Sequence, residues 1–368
     1  MTKIMKGLEG VVVDTTTISL VDGKAGKLSY RGYDIDELID LPFGHVASLV
    51  VNGTLDSVLE ERLLKVAQLS PRETDLLLSL PEETHPMHVL QGMAPLLDHP
   101  DEFADYGEAA QGLVIAAKVP ELIATHLARK PLIMSETPTL VGRFLEYVRA
   151  PEVESARRAF EAVQVLQIEH SFNAGTFAAR SVASTLAPIE NCIAAAFGTL
   201  HGVLHGGADQ AALEVADNVG TPERAAPFVD ECLATKTKVM GMGHREYKVL
   251  DPRARHIKRF AEALTRDTEH ERTFRTLVAI EARFTERMAA QGKSLYANLE
   301  FYKGVVYRAL GLPTRFFTSC FAMARVYGYI AHFIESREDN RIIRPAAHYV
   351  GPTIGRTVGE AVTTPVSG

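Results

Sequence analysis

Two stretches carry residue types that can do polar chemistry. His201-Gly-Val-Leu-His205-Gly-Gly-Ala-Asp-Gln sets two histidines four apart, and Gly241-Met-Gly-His244-Arg-Glu-Tyr-Lys248-Val-Leu-Asp251-Pro-Arg253 sets a histidine after a glycine turn and an arginine at a helix start. Histidines at i and i+4 share a helix face and can bind a metal. The glutamate of an H-E-x-x-H pattern is missing, so one buried histidine and one cleft histidine is the better reading. His205 is the cleft candidate, because Gly206-Gly207 lets the backbone approach a ligand. The Gly241-Met-Gly243 turn lacks the strand and the spacing of a dinucleotide fingerprint. Arg253 opposes the helix dipole, which points either to a grip on a carboxylate or to a surface salt bridge. Glu300 stands beside apolar and aromatic residues in Asn298-Leu-Glu-Phe-Tyr-Lys-Gly304. Burial there would raise its pKa and suit it to general-base work; the alternative is an exposed acid at a helix start. Arg325 is a lone charge in the apolar run 321–330 and needs an anionic partner, a ligand carboxylate or a structural Asp or Glu. Arg344 alone carries no signal.

The elements that position these residues read as mostly helical. The β signal is confined to the first 30 residues. Gly10-Val-Val-Val13 is β-prone, and Ile18–Val21, Asp22-Gly23 and Lys27–Tyr30 read as a hairpin with a tight turn. Asp34 is placed to cap the helical segment that begins near residue 36. Val58, Leu59, Leu63 and Val66 recur at helical spacing, and Ser70-Pro-Arg-Glu73 is a capping box with proline at the first position. Residues 106–129 and 152–168 are amphipathic helix candidates. Phe177–Leu186 and Ile189–Leu200 are small and apolar, which predicts helices buried all round. One short helix lies between Gly207 and Thr221, loops span 236–243 and 291–297, Asp251 caps a helix, and helices follow over 270–291 and 316–335. The glycine breaks suggest a large helical part over 1–206, a smaller inserted unit over 207–307, and a return to the large part over 308–368.

Composition limits the partners. The chain has 368 residues and a formal net charge of −7, which argues weakly against nucleic acid and says nothing against a small anion. Cys192, Cys232 and Cys320 are few and widely spaced, as expected of buried thiols in a reducing compartment. The N-terminus has no apolar signal region, and the apolar run near 192–205 is too interrupted to span a bilayer. The expectation is a cytoplasmic protein that meets neither membrane nor nucleic acid.

Several motifs, in order, resemble the citrate synthase family along nearly the whole chain. They are Gly7-Leu-Glu-Gly10 with Tyr30-Arg-Gly-Tyr-Asp-Ile35; His85-Pro-Met87; Glu169-His-Ser-Phe-Asn173-Ala-Gly-Thr-Phe177; Leu204-His-Gly-Gly-Ala208; Gly241 through Arg253; and Asn340-Arg-Ile-Ile-Arg-Pro345. The resemblance implies an all-helical two-domain fold with a small N-terminal β ribbon, and a homodimer whose active site is shared between subunits. It implies an enzyme of the tricarboxylic acid cycle that condenses acetyl-CoA with oxaloacetate and hydrolyses the citryl-CoA formed. No metal and no permanently bound cofactor are implied. By the same resemblance His205 would hydrogen-bond the thioester oxygen, Glu300 would remove the methyl proton and His244 would polarise the ketone. His170, Arg253 and Arg325 would hold oxaloacetate, with Arg344 reaching in from the other subunit. Backbone around Val239, Met240, Gly241 and Met242 would meet the adenine of CoA, and Lys248 and Lys293 its phosphates.

The chain departs from the family pattern at several places. Glu300 stands where aspartate is usual, after Ala297 in place of proline. Asp209 replaces an asparagine, Gln167 a histidine, Glu246 an apolar residue and Lys303 a small one. Asp209 near His205 would favour a charged imidazole, while Glu246 and Lys303 read as solvated. The alternatives to citrate formation are 2-methylcitrate formation from propionyl-CoA and a weakly active homologue that binds CoA or oxaloacetate.

Overall fold

The computed structural model describes residues 4–351 apart from Leu204, Gly207 and Arg245. Its sheet is the predicted hairpin plus one strand. β1 (Ser19–Asp22) pairs antiparallel with β2 (Lys27–Tyr30), and β3 (Tyr33–Asp34) pairs with β2. The turn forms because the Asp22 carboxylate accepts the N–H groups of Lys24 and Ala25 at 3.0 and 2.8 Å, the local bond that makes Asp a turn former. Ile18, Leu28 and Tyr30 anchor the ribbon to the core. Gly10–Val13 forms no strand: Val12 is 88% exposed and the segment has no pairing edge, without which β propensity is not realised.

The rest is helical. Asp34 caps α1 (Ile35–Leu38) by accepting the Asp36 N–H. α2 (Phe43–Asn52), α3 (Val58–Val66), α4 (Pro71–Ser79) and α5 (Pro86–Met93) follow, and α4 opens with both bonds of the predicted capping box. Residues 101–109 form 3-10 turns ahead of α6 (Ala110–Ala128). α6 is not amphipathic as expected: every residue from Gln111 to His126 is buried, because α3, α4, α5, α7 (Leu140–Tyr147) and α16 (Phe317–Glu338) surround it. α8 (Glu154–Gln167) lies where a helix was expected. α9 (Ala174–Ala183) and α10 (Ile189–Leu200) pack on each other and on α16. They are not buried all round in this single chain, since Phe177, Val182 and Ala194 are only partly covered.

α11 (Ala208–Val219), α12 (Ala225–Thr235), α13 (Pro252–Thr265), α14 (Glu271–Ala289) and α15 (Leu299–Ala309) pack largely among themselves, and α13 and α15 also lean on α8. After α16 the chain runs extended and exposed to residue 351. The three cysteines are buried and unpaired. Among the described residues no helix is long and apolar enough to cross a membrane.

Candidate active site

The predicted site residues come from distant parts of the chain, and the first device that gathers them is Asp251. Its carboxylate caps α13 by accepting the Arg253 N–H at 3.0 Å, takes the Arg253 side chain through Nε and Nη2 at 3.0 and 2.9 Å, and accepts the Leu299 N–H at 3.2 Å. One carboxylate thus fixes the start of α13 to the start of α15, one residue from Glu300. Arg253 is therefore no surface ion pair; it is 3% exposed. Asp251 occupies the Nε/Nη2 side of its fork, and the nearby acid pushes its pKa further up against the pull of burial.

The loop before α13 is held to the same place. Gly241 and Gly243 both have positive φ, 80° and 90°, values that a side chain would resist. Met242 bridges to Ala297, Asn298 donates its backbone N–H to Gly241 O at 3.0 Å, and its side chain donates to Gly243 O at 3.0 Å. His244 comes next. Its Nδ1 accepts the N–H groups of Glu246 and Tyr247 at 3.0 and 3.2 Å. Its Nε2 lies in hydrogen-bond contact with Arg253 Nη2 at 3.2 Å, so the imidazole and the guanidinium share one edge of the cluster. Burial, and then the Arg253 charge, hold His244 below the usual histidine pKa and so neutral.

His170 closes one side of this cluster. Its ring centroid is 5.6 Å from that of His244, and Nε2 lies 3.2 Å from the Tyr247 hydroxyl. Burial and the Arg253 and Arg325 charges push its pKa far down. The preceding Glu169 is fully buried and bonds the Ser19 hydroxyl and His332 Nε2, both at 3.0 Å. The β ribbon is thereby tied to the segment that holds His170. Arg325 is 1% exposed, donates Nε to Gln167 O at 2.7 Å and lies over the Phe321 ring. Burial lowers its pKa, against an opposing pull from the buried Glu169 carboxylate. The structural acid expected as one alternative is thus near it, without a direct ion pair among the described residues.

His205 sits past the end of α10, and its Nε2 accepts the Gly175 N–H at the start of α9, 3.4 Å away. That bond leaves Nδ1 as the donor of the neutral ring. Burial and the Arg325 charge depress its pKa to about 4, against an opposing pull from Glu300. The expectation that Asp209 would charge this imidazole fails. Asp209 faces Lys303 instead, Oδ2 to Nζ 3.3 Å, with both side chains wholly buried. Lys303 is accordingly not solvated, whereas Glu246 is exposed. His201 turns elsewhere and stacks on His85 at 4.2 Å between ring centroids; it is partly exposed, not the buried histidine expected.

Glu300 lies in the first turn of α15, beside His244, Arg253 and Lys303. Its pKa moves opposite to expectation. Burial pulls it up, but Lys303, Arg253 and His244 together outweigh that and bring it below the usual glutamate value.

The other predicted residues are less gathered. Val239 is buried and Met240 partly so, in the loop that ends at Met242. Lys248 is exposed, and its backbone N–H donates to Gly23 O at 2.8 Å, which sets the ribbon's turn against the His244 loop. Lys293 is exposed. Arg344 is exposed in the extended segment after α16, and none of these contacts joins it to the cluster. The expectations for Gly207, Arg245 and the tail beyond residue 351 fall outside the described residues. Sequence reasoning missed Tyr247 as a site member and took Asp251 for a cap alone. Their place inside the Gly241–Arg253 motif was the available signal.

Known proteins share this sequence and fold. A family described as citrate synthase, C-terminal domain, matches residues 7–346. A citrate synthase of Synechocystis sp. is 36% identical over 361 residues, covering 94% of this chain and 90% of its own. A 2-methylcitrate synthase of Shewanella oneidensis is 33% identical, covering 94% of each. The citrate synthase of Thermoplasma acidophilum, solved in ternary complex with carboxymethyl coenzyme A and oxaloacetate, superposes with a TM-score of 0.87 at 26% identity, over 98% of this chain and 100% of its own. Fold and relatives together define an enzyme that transfers an acyl group. The chain belongs to the citrate synthase family, whose function is the condensation of acetyl-CoA with oxaloacetate.

Proposed function

We propose that this chain condenses acetyl-CoA with oxaloacetate and hydrolyses the citryl-CoA thioester to citrate and CoA. The observation that carries this reading is the gathering of His170, His244 and Arg253 into one cluster, with His244 Nε2 3.2 Å from Arg253 Nη2 and the two imidazole rings 5.6 Å apart between centroids. A buried guanidinium with one edge open beside two imidazoles suits a small dianion, and oxaloacetate offers a ketone and two carboxylates. His244 polarises the ketone. His170, Arg253 and Arg325 hold the carboxylates and carbonyl; Arg253 does so through the edge that Asp251 leaves open. Glu300, ionised at neutral pH, takes the methyl proton of the thioester. His205, neutral with Nδ1 as donor, stabilises the developing enolate oxygen. A placed base and a donor aimed at the forming oxyanion are what a weak carbon acid needs. The enolate carbon then attacks the polarised ketone, and water cleaves the thioester. Val239–Met242 would meet the adenine of CoA, with Lys248 and Lys293 on its phosphates.

The same reading makes residues 207–307 the smaller domain, moving against 1–206 and 308–368, although α15 itself runs on to Ala309. It makes the protein a cytoplasmic homodimer in the tricarboxylic acid cycle, with Arg344 of each chain completing the other's cleft. The partly uncovered sides of α9 and α10 and the extended segment after α16 support a dimer.

A second reading, 2-methylcitrate formation from propionyl-CoA, is favoured by the Shewanella oneidensis relative. CoA release from oxaloacetate with each thioester separates the two. The expected result is a higher kcat/KM with acetyl-CoA. A ratio favouring propionyl-CoA establishes the second reading. Binding of oxaloacetate without turnover of either thioester defeats both.

A further inference from the structure

Two residues that the sequence sets far apart, Asp209 and Lys303, meet inside the protein. Their side chains are wholly buried with Nζ 3.3 Å from Oδ2. Among the described residues neither Lys303 Nζ nor Asp209 Oδ2 has a hydrogen bond. Nζ also lies 4.2 Å from the Phe321 ring centroid. Removing two charges from water is expensive, and attraction repays it only when further hydrogen bonds complete the pair. Asp209 Oδ1 accepts the Gln210 N–H at 2.8 Å, but Nζ and Oδ2 have no further bonds among the described residues, so the pair is only half completed. Its position suggests why it is tolerated.

Lys303 lies three residues after Glu300 on α15, and residues so spaced are neighbours on a helix face. Asp209, in the first turn of α11, reaches that face because Gly304 lets the two helices close: a Cβ there would stand 2.7 Å from Asp209 O. We propose that Lys303, held by Asp209, is a positioning residue for Glu300, keeping that carboxylate ionised and its turn of α15 in place for proton abstraction. This rests on the reading of Glu300 as the base.

The charges around Glu300 are few. Lys303 lies on its own helix and Arg253 on α13, while His244 and His205 come from loops and Asp209 from α11. Tyr307 and Cys320 face Asp209. Of the cations that favour the ionised form of Glu300, Lys303 acts most strongly, ahead of Arg253. Arg253 is bonded to Asp251 through two nitrogens of its fork, whereas Lys303, on the same helix as Glu300, keeps a looser pairing with Asp209 at 3.3 Å.

The test replaces both charges at once with Asp209→Asn/Lys303→Met, which orphans neither partner and keeps side-chain length. Two readouts are taken against pH: kcat/KM with acetyl-CoA, and the Glu300 carboxyl followed by carbon NMR, assigned with Glu300→Gln. The expected result is an acid limb and a carboxyl titration moved to higher pH, with about a tenfold loss of rate at pH 6 and little loss at pH 8.5. Unchanged profiles accompanied only by a changed melting temperature overturn the proposal. If that variant does not fold, Lys303→Met alone removes the cation, and the titration should then move to higher pH; no movement again overturns it. A wild type without condensation activity sinks the functional reading, while the NMR titration still decides this one.

Discussion

Glu300 carries one methylene more than aspartate, and the backbone in front of it is stitched down by the Met242–Ala297 bridge and by the Asn298 bonds to Gly241 and Gly243. The longer side chain is therefore fitted to this backbone. Glu300→Asp withdraws the carboxylate by about 1 Å and is expected to cost on the order of a hundredfold in kcat, with oxaloacetate affinity little changed. A faster variant shows instead that glutamate handicaps the reaction. The histidines sharpen the same point. Burial keeps His205 near a pKa of about 4, so it is neutral throughout the working range.

At the scale of elements, the site is an arrangement of helix starts. Asp251 binds the starts of α13 and α15 together through Arg253 and Leu299. Asp251→Asn keeps the shape but removes the charge that balances buried Arg253 and one of its acceptor atoms. The expected outcome is a raised KM for oxaloacetate together with a loss of stability of up to about 3–5 kcal/mol, the range for a broken buried pair. Kinetics and calorimetry on one preparation check both; an unaltered KM shows that the pair is only structural. Much of this architecture was legible beforehand, because turns and helix starts have local chemistry. Asp22-Gly23, Ser70-Pro71 and Asp251-Pro252 signalled their elements directly. The candidate site residues were proposed from motifs, not from spacing. What stayed hidden depends on partners far off in the chain. No local pattern shows that Lys303 is buried against Asp209, or that Glu300 would be pulled down by cations and not up by burial. Nor does one show that α6 would be covered on every face. Gly10–Val13 failed for the same reason in reverse, a strand-prone run with no edge to join.

For the whole molecule, the proposed dimer makes catalysis depend on assembly. Arg344 is exposed and apart from the cluster of its own chain. Arg344→Ala is expected to weaken oxaloacetate binding while leaving the dimer intact, read by titration calorimetry and sedimentation. Mixing Arg344→Ala with Glu300→Ala protein should restore part of the activity, since one of the two clefts in each hybrid then has both residues. A fully active monomer defeats the shared cleft. The contact between Gly23 O and the Lys248 N–H has a consequence in time as well. It joins residues more than two hundred positions apart, and Ser19 to Glu169 spans 150. Contacts so distant in sequence are slow to form because chain entropy opposes them. During synthesis the ribbon is made more than two hundred residues before its seat on the His244 loop, so the candidate site cannot be completed until that loop has been made.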